Sequence, residues 1–126
     1  MNAQTNSLNW FEISVADINR AKKFYETIFG IEMMAMEMMG THMAMFPWEP
    51  GTGKANGALC QGEMHKPSMD GVKVYMNGDP DLQVVLDKVE AAGGKITMPK
   101  TEIGSNGFMA FIIDTEGNSI GLHSNG

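Results

Sequence analysis

Cysteine occurs once in the 126 residues, as Cys60, so no intrachain disulfide can form. A lone thiol fits a reducing compartment, and the cytoplasm is the expected location. Basic residues are few: 9 Lys and Arg stand against 15 Asp and Glu, a formal net charge of -6, and they form no cluster. Such a surface repels phosphate backbones, so nucleic acid is not an expected partner. No apolar run approaches the roughly 18–20 residues that span a bilayer, and a membrane is not an expected partner either. Met1–Ser7 is polar, with neither the basic nor the apolar region of a signal peptide. A phosphate-cradling loop is also missing, because Gly51-x-Gly53 is not followed by the Lys-Ser/Thr pair that such loops need.

What remains is a globular composition, 43% hydrophobic and 19% charged, enough to bury one core as a single domain over residues 1–126. There are 13 Met, seven of them between Met33 and Met45, and 15 Gly. Methionine is a flexible gap filler, so the crowding reads as a soft core, a dimer seam or a pliable pocket wall. A copper–thioether site would need a partner pattern that the sequence does not display.

Leu8–Val15 alternates as a strand, with Phe11, Ile13 and Val15 on one face and Trp10, Glu12 and Ser14 on the other. Asp17 is placed to cap a helix with the stripe Ile18, Ala21, Phe24/Tyr25 and Ile28, and Gly30 to end it in the left-handed region. Glu32–Met39 and Thr41–Phe46 make a hairpin around Gly40, and Asn56–Gly62 is a further strand. The pattern then restarts. Gly71–Met76 reads as a strand, and Asp79-Pro80 as a helix cap followed by a first-turn proline. Leu82, Val85, Leu86 and Val89 form the second stripe, which Gly93-Gly94 ends. Lys95–Met98 is a strand, Pro99–Asn106 a loop, and Phe108–Asp114 with Asn118–His123 a closing hairpin. An offset of 64 residues sets Gly94 on Gly30 and Leu82 on Ile18. The expected fold is α+β: two βαβββ modules, about 7–63 and 70–124, joined by the linker Glu63–Asp70. A ferredoxin-like sandwich, the competing arrangement, has too few strands.

Three stretches carry a family likeness. They are Asn9–Asp17 with Arg20-Ala21, Phe24-Tyr25 and Phe29-Gly30; then Val89–Lys95; then Asp114-Thr115-Glu116-Gly117-Asn118 with Ile120-Gly121-Leu122. In this order the chain resembles the glyoxalase / bleomycin-resistance / extradiol-dioxygenase superfamily, the vicinal oxygen chelate fold. The resemblance implies cupped half-sheets of mixed and antiparallel strands around a cleft. In metal-dependent members, His, Glu or Gln from the first and last strand of each half hold a divalent ion that chelates substrate oxygens. Those positions fall here on Trp10, on Val72 or Val74, and on Gly121, while the strand closing the first half offers Cys60 or Gln61. No metal and no other cofactor is therefore expected.

The alternative is a divalent ion at a relocated site. Glu12 shares a strand face with Trp10, and His123 shares one with Gly121, so these two with one more donor, His42 or Glu63, would make a three-ligand set, of the 2-His-1-carboxylate type when the third is His42. His65, beside Lys66-Pro67, reads as a solvated linker residue, Cys60 as an inert semi-buried thiol, and Lys100 as a surface lysine.

The expectation is thus a glyoxalase-like homodimer that holds a small, partly apolar molecule, as the bleomycin-resistance branch does without catalysis. Trp10 would wall the ligand, Glu12 and His123 would give polar contacts, and Ser14 and His42 would lie next to them. Against it stands a lyase or isomerase related to lactoylglutathione lyase, acting on a small oxygenated substrate with Glu12 as general base. A buried Glu12 with a raised pKa would mark that enzyme. A closed cleft would mark a structural or interaction module.

Overall fold

The computed structural model describes residues 1–126 and shows the expected α+β arrangement of two βαβββ halves. The first half contains β1 (Trp10–Ser14), α1 (Ile18–Phe29), β2 (Met34–Met38), β3 (Thr41–Met45) and β4 (Asn56–Gln61). The second contains β5 (Tyr75–Asn77), α2 (Leu82–Val89), β6 (Lys95–Glu102), β7 (Phe108–Ile113) and β8 (Ser119–Ser124). Each half is a four-stranded sheet, in the order β1-β4-β3-β2 or β5-β8-β7-β6. The first strand runs parallel to the last, and the other pairs are antiparallel.

Helix α1 begins where the Asp17 carboxylate accepts from the amides of Asn19 and Arg20, and it ends at Gly30 with φ 63 and ψ 43. Its Ala21, Phe24, Tyr25 and Ile28 are buried, as their spacing requires. Met39 joins Gly40 in the β2–β3 turn, both with positive φ, which matches the twist of a tight hairpin.

Three boundaries differ from the sequence reading. The cap of α2 is Asp81, which accepts from the Gln83 amide at 2.9 Å, whereas Asp79 is engaged by Asn125 and the Asp79–Pro80 bond is cis. Strand β5 starts at Tyr75 rather than Gly71: its ladder with β8 opens with Gly121 donating to the Val74 carbonyl, and Val72 is 92% exposed. Strand β6 runs through Pro99 instead of stopping before it. As an edge strand it pairs only with β7, and the register shift between Met98 and Thr101 accommodates a residue without an N–H.

Both halves share one core of 18 buried residues, including Phe24, Tyr25, Leu59, Leu86, Val89 and Leu122. The closing hairpin of the second half locks onto the first half through polar groups. The buried Tyr25 hydroxyl donates to Asp114 Oδ2 at 2.7 Å, and Asn118 Nδ2 donates to the Ser14 carbonyl at 2.8 Å. Glu116 accepts from the amides of Ala16 and Asp17 and from the Arg20 guanidinium, at 2.8–3.0 Å. Burial opposes its charge, yet the bonds from Arg20, Thr115 and the two amides hold its carboxyl down to about 2. These contacts fix β1, which carries most of the candidate site. No helix is long and apolar enough to cross a membrane.

Candidate functional site

Alternation along β1 turns Phe11 and Ile13 toward α1 and leaves Trp10, Glu12 and Ser14 on the sheet's other face. The register places Ala58 beside Glu12 and Cys60 beside Ser14, and then Met43 beside Cys60 and Met45 beside Ala58. Met36 and Met34 of β2 continue these two rows. The methionine cluster is therefore largely one wall of this face. Met43, Ala58 and Cys60 form a small buried group under it.

The polar centre of the face is Glu12. Its Oε1 lies 2.8 Å from His65 Nε2, and its Oε2 accepts from Trp10 Nε1 at 3.2 Å. The bond to His65 is the main cause of a lowered Glu12 pKa, which partial burial opposes and Trp10 reinforces. Placing the proton on Nε2 gives Glu12 a donor and leaves Nδ1, which is buried without a partner, as an acceptor. Cys60 is fully buried, and burial followed by the nearby Glu12 charge pushes its thiol up to about 12. One donor atom from each of Glu12, Cys60 and His65 lies within 4.8 Å of the others.

His65 is the residue that the sequence reading misplaced. Its side chain is only 16% exposed. A turn closed by the His65 amide on the Gly62 carbonyl folds the linker back over β1. The sequence signal was Gly62 opening that turn, with His65 at its fourth position.

The other candidates separate. His42 lies on the opposite face of β3 from Met43, and its Nδ1 is 3.7 Å from Glu37 Oε2, both side chains being exposed. His123 belongs to the second sheet, where Nε2 lies 2.7 Å from the Asn106 carbonyl. The set combining Glu12 with His123 and His42 is therefore not assembled. Lys100 is no free surface lysine: it pairs with Asp81 at 2.7 Å and sits over the Phe108 ring.

A cleft of about 510 Å³ is bordered by Glu12 and Ser14 and by Val72, Lys73, Val74 and Tyr75, while Trp10 and the methionines lie outside its lining. A second, of about 560 Å³, lies among Phe29, Phe46, Asn77, Asp79 and Lys88 and touches none of the candidate residues.

The divalent ion of metal-dependent relatives does not fit the positions it would need. Trp10 presents an indole. On β5 the residue opposite Gly121 is Tyr75, not Val72 or Val74, and its ring packs edge-on against Phe111. The ring fills the space over Gly121, where a Cβ would meet it at 2.6 Å. Gln61 spends its side-chain oxygen on the Ile18 amide. Of these positions only Cys60 offers a free donor.

A family model described as Glyoxalase/Bleomycin resistance protein/Dioxygenase superfamily matches residues 7–122. The protein CFP32 of Mycobacterium tuberculosis (strain CDC 1551 / Oshkosh), provisionally named a glyoxylase, is 31% identical over 117 residues. That alignment takes in 90% of this chain but 44% of CFP32, so the chain spans less than half of the relative's length. Among solved structures, a glyoxalase-related enzyme from Fulvimarina pelagi superposes with a TM-score of 0.68 at 13% identity, over 95% of this chain and 88% of that one. A glyoxalase/bleomycin resistance protein from Streptomyces sp. CB03234 gives 0.66 at 20% identity, over 94% of this chain and 100% of the other.

Proposed function

The chain belongs to the glyoxalase/bleomycin resistance protein/dioxygenase superfamily, and on that premise we propose that it holds a small, partly apolar molecule in its cleft. No divalent ion sits at the family's ligand positions in this reading. The observation that carries it is an open cleft bordered by Phe11, Ile13, Tyr75 and Ile120 and by Glu12, whose carboxylate is fixed by Trp10 and His65. Its aromatic and aliphatic side chains bind apolar surface, and a fixed carboxylate accepts from a hydroxyl or amine on the ligand. Ser14 lines the same cleft, while His123 and His42 have other partners.

The lyase or isomerase reading draws on the glyoxylase name of the relative. A general base near neutral pH needs a raised carboxylate pKa, and Glu12 is 40% exposed with its pKa lowered. That favours binding over proton abstraction. The open cleft likewise favours a ligand over a purely structural module.

Ligand-observed NMR with a panel of small aromatic alcohols and amines tests the proposal. Hits should bind wild-type protein and lose binding in both Trp10→Ala and Glu12→Gln. Hits that bind all three proteins equally would refute it.

A further inference from the structure

The geometry points to a zinc-class ion site built from Glu12 Oε1, Cys60 Sγ and His65 Nε2, on residues largely distinct from the family's ligand positions. It does not rest on the ligand proposed above. The three atoms already converge, each within 4.8 Å of the others. A tetrahedral ion with bonds of about 2.0–2.3 Å separates its donors by roughly 3.3–3.7 Å. The 2.8 Å His65–Glu12 contact must then open by about half an ångström, and the sulfur must close by about one at most.

The donor chemistry selects the ion. Thiolate, imidazole and carboxylate together suit a borderline cation, while Mg²⁺ and Ca²⁺ ask for a cage of oxygens. One thiolate and one carboxylate cancel the charge of a divalent ion, so the buried end of the site carries no net charge. Trp10 holds Glu12 Oε2 and leaves Oε1 for the ion, as an outer-shell donor commonly orients a carboxylate ligand. Access lies through the Glu12–His65 pair, which sits at the surface above the buried sulfur. Three protein donors leave the fourth position to water.

Binding releases one net proton. The Cys60 S–H breaks, the sulfur takes the ion and its proton leaves to solvent, while the imidazole proton of His65 moves from Nε2 to the unpartnered Nδ1 and frees Nε2 for the ion. Because the ion displaces the thiol proton, the apparent affinity should rise with pH.

The experiment titrates chelator-stripped protein with Zn²⁺ by calorimetry at several pH values, and separately with Co²⁺ while recording the near-ultraviolet thiolate-to-cobalt band. We expect one ion per chain, release of about one proton, and a cobalt band that vanishes in Cys60→Ser. His65→Ala should weaken binding by more than about a hundredfold, since outer-shell partners alone are worth about 10–100-fold. Trp10→Phe should weaken it by about tenfold. His65 lies in the linker, so its variant decides the matter even if Cys60→Ser melts early; circular dichroism monitors both. No saturable binding, no cobalt band, or undiminished binding in His65→Ala would overturn the site.

Discussion

Glu116 ties the closing hairpin of the second half to the helix that follows β1, so its ionisation helps to hold the strand bearing Trp10 and Glu12. Its carboxyl sits at about 2 against an ordinary 4.5, because bonds from Arg20, Thr115 and two amides outweigh the burial that would raise it. At about 1.36 kcal/mol per pH unit, that difference corresponds to roughly 3 kcal/mol of stability. A carboxyl depressed in the folded state stabilises the protein fully above its unfolded value and loses that contribution as pH falls. The window therefore runs from about pH 4.5 down to about pH 2. The perturbation is Glu116→Gln, which keeps the shape and removes the titration. Urea unfolding of both proteins from pH 7 to pH 2 is the assay. Other carboxylates titrate in both and cancel in the difference, so the wild-type advantage should shrink by roughly 3 kcal/mol across the window. A stability difference that stays constant with pH would refute the reasoning.

Valine at Gly30 or Gly93, where φ is 63 and 107, should each cost about 1 kcal/mol or more in urea melts. A neutral result at either would contradict the backbone geometry. His65→Ala should raise the Glu12 pKa toward the ordinary carboxylate range, read by NMR titration of its carboxyl carbon; an unmoved value would mean that His65 is not its main partner. Met34, Met36 and Met38 lie exposed on edge strand β2 and Met39 beside it, so a two-fold dimer burying about 1,200–2,000 Å² is expected. Sedimentation at micromolar concentration showing only a 13.7 kDa chain would count against it.

The fold was legible because its signals are local and repeated. Asp17, the stripe of α1 and Gly30 announce one helix, and the 64-residue offset carries that pattern to Leu82 and Val85. The same offset sets Asp81 on Asp17, the true cap; Asp79-Pro80 drew attention away only because proline so often follows a cap. Pro99 misled in a similar way, since a proline ends a central strand but not an edge strand with a register shift. The site was legible only in part. Alternation put Trp10 and Glu12 on one face, and the registers of β3 and β4 then brought the methionines there. His65 was hidden because the four-residue turn Gly62–His65 decides its place, and no periodicity reports a turn's direction. His123 shares a face with Gly121 as expected, but that face belongs to the other sheet, a tertiary fact with no local signature.

The most direct measurement is equilibrium binding of one NMR-identified aromatic alcohol to three samples: metal-stripped wild type, the same protein with added divalent ion, and metal-stripped Trp10→Ala. The stripped wild type should bind, with Trp10→Ala weakened by about tenfold or more, as expected when Glu12 loses the indole hydrogen bond that fixes it, worth about 1.5–3 kcal/mol for a charged acceptor. A stripped protein that fails to bind until the ion is restored would contradict the metal-free reading of the cleft.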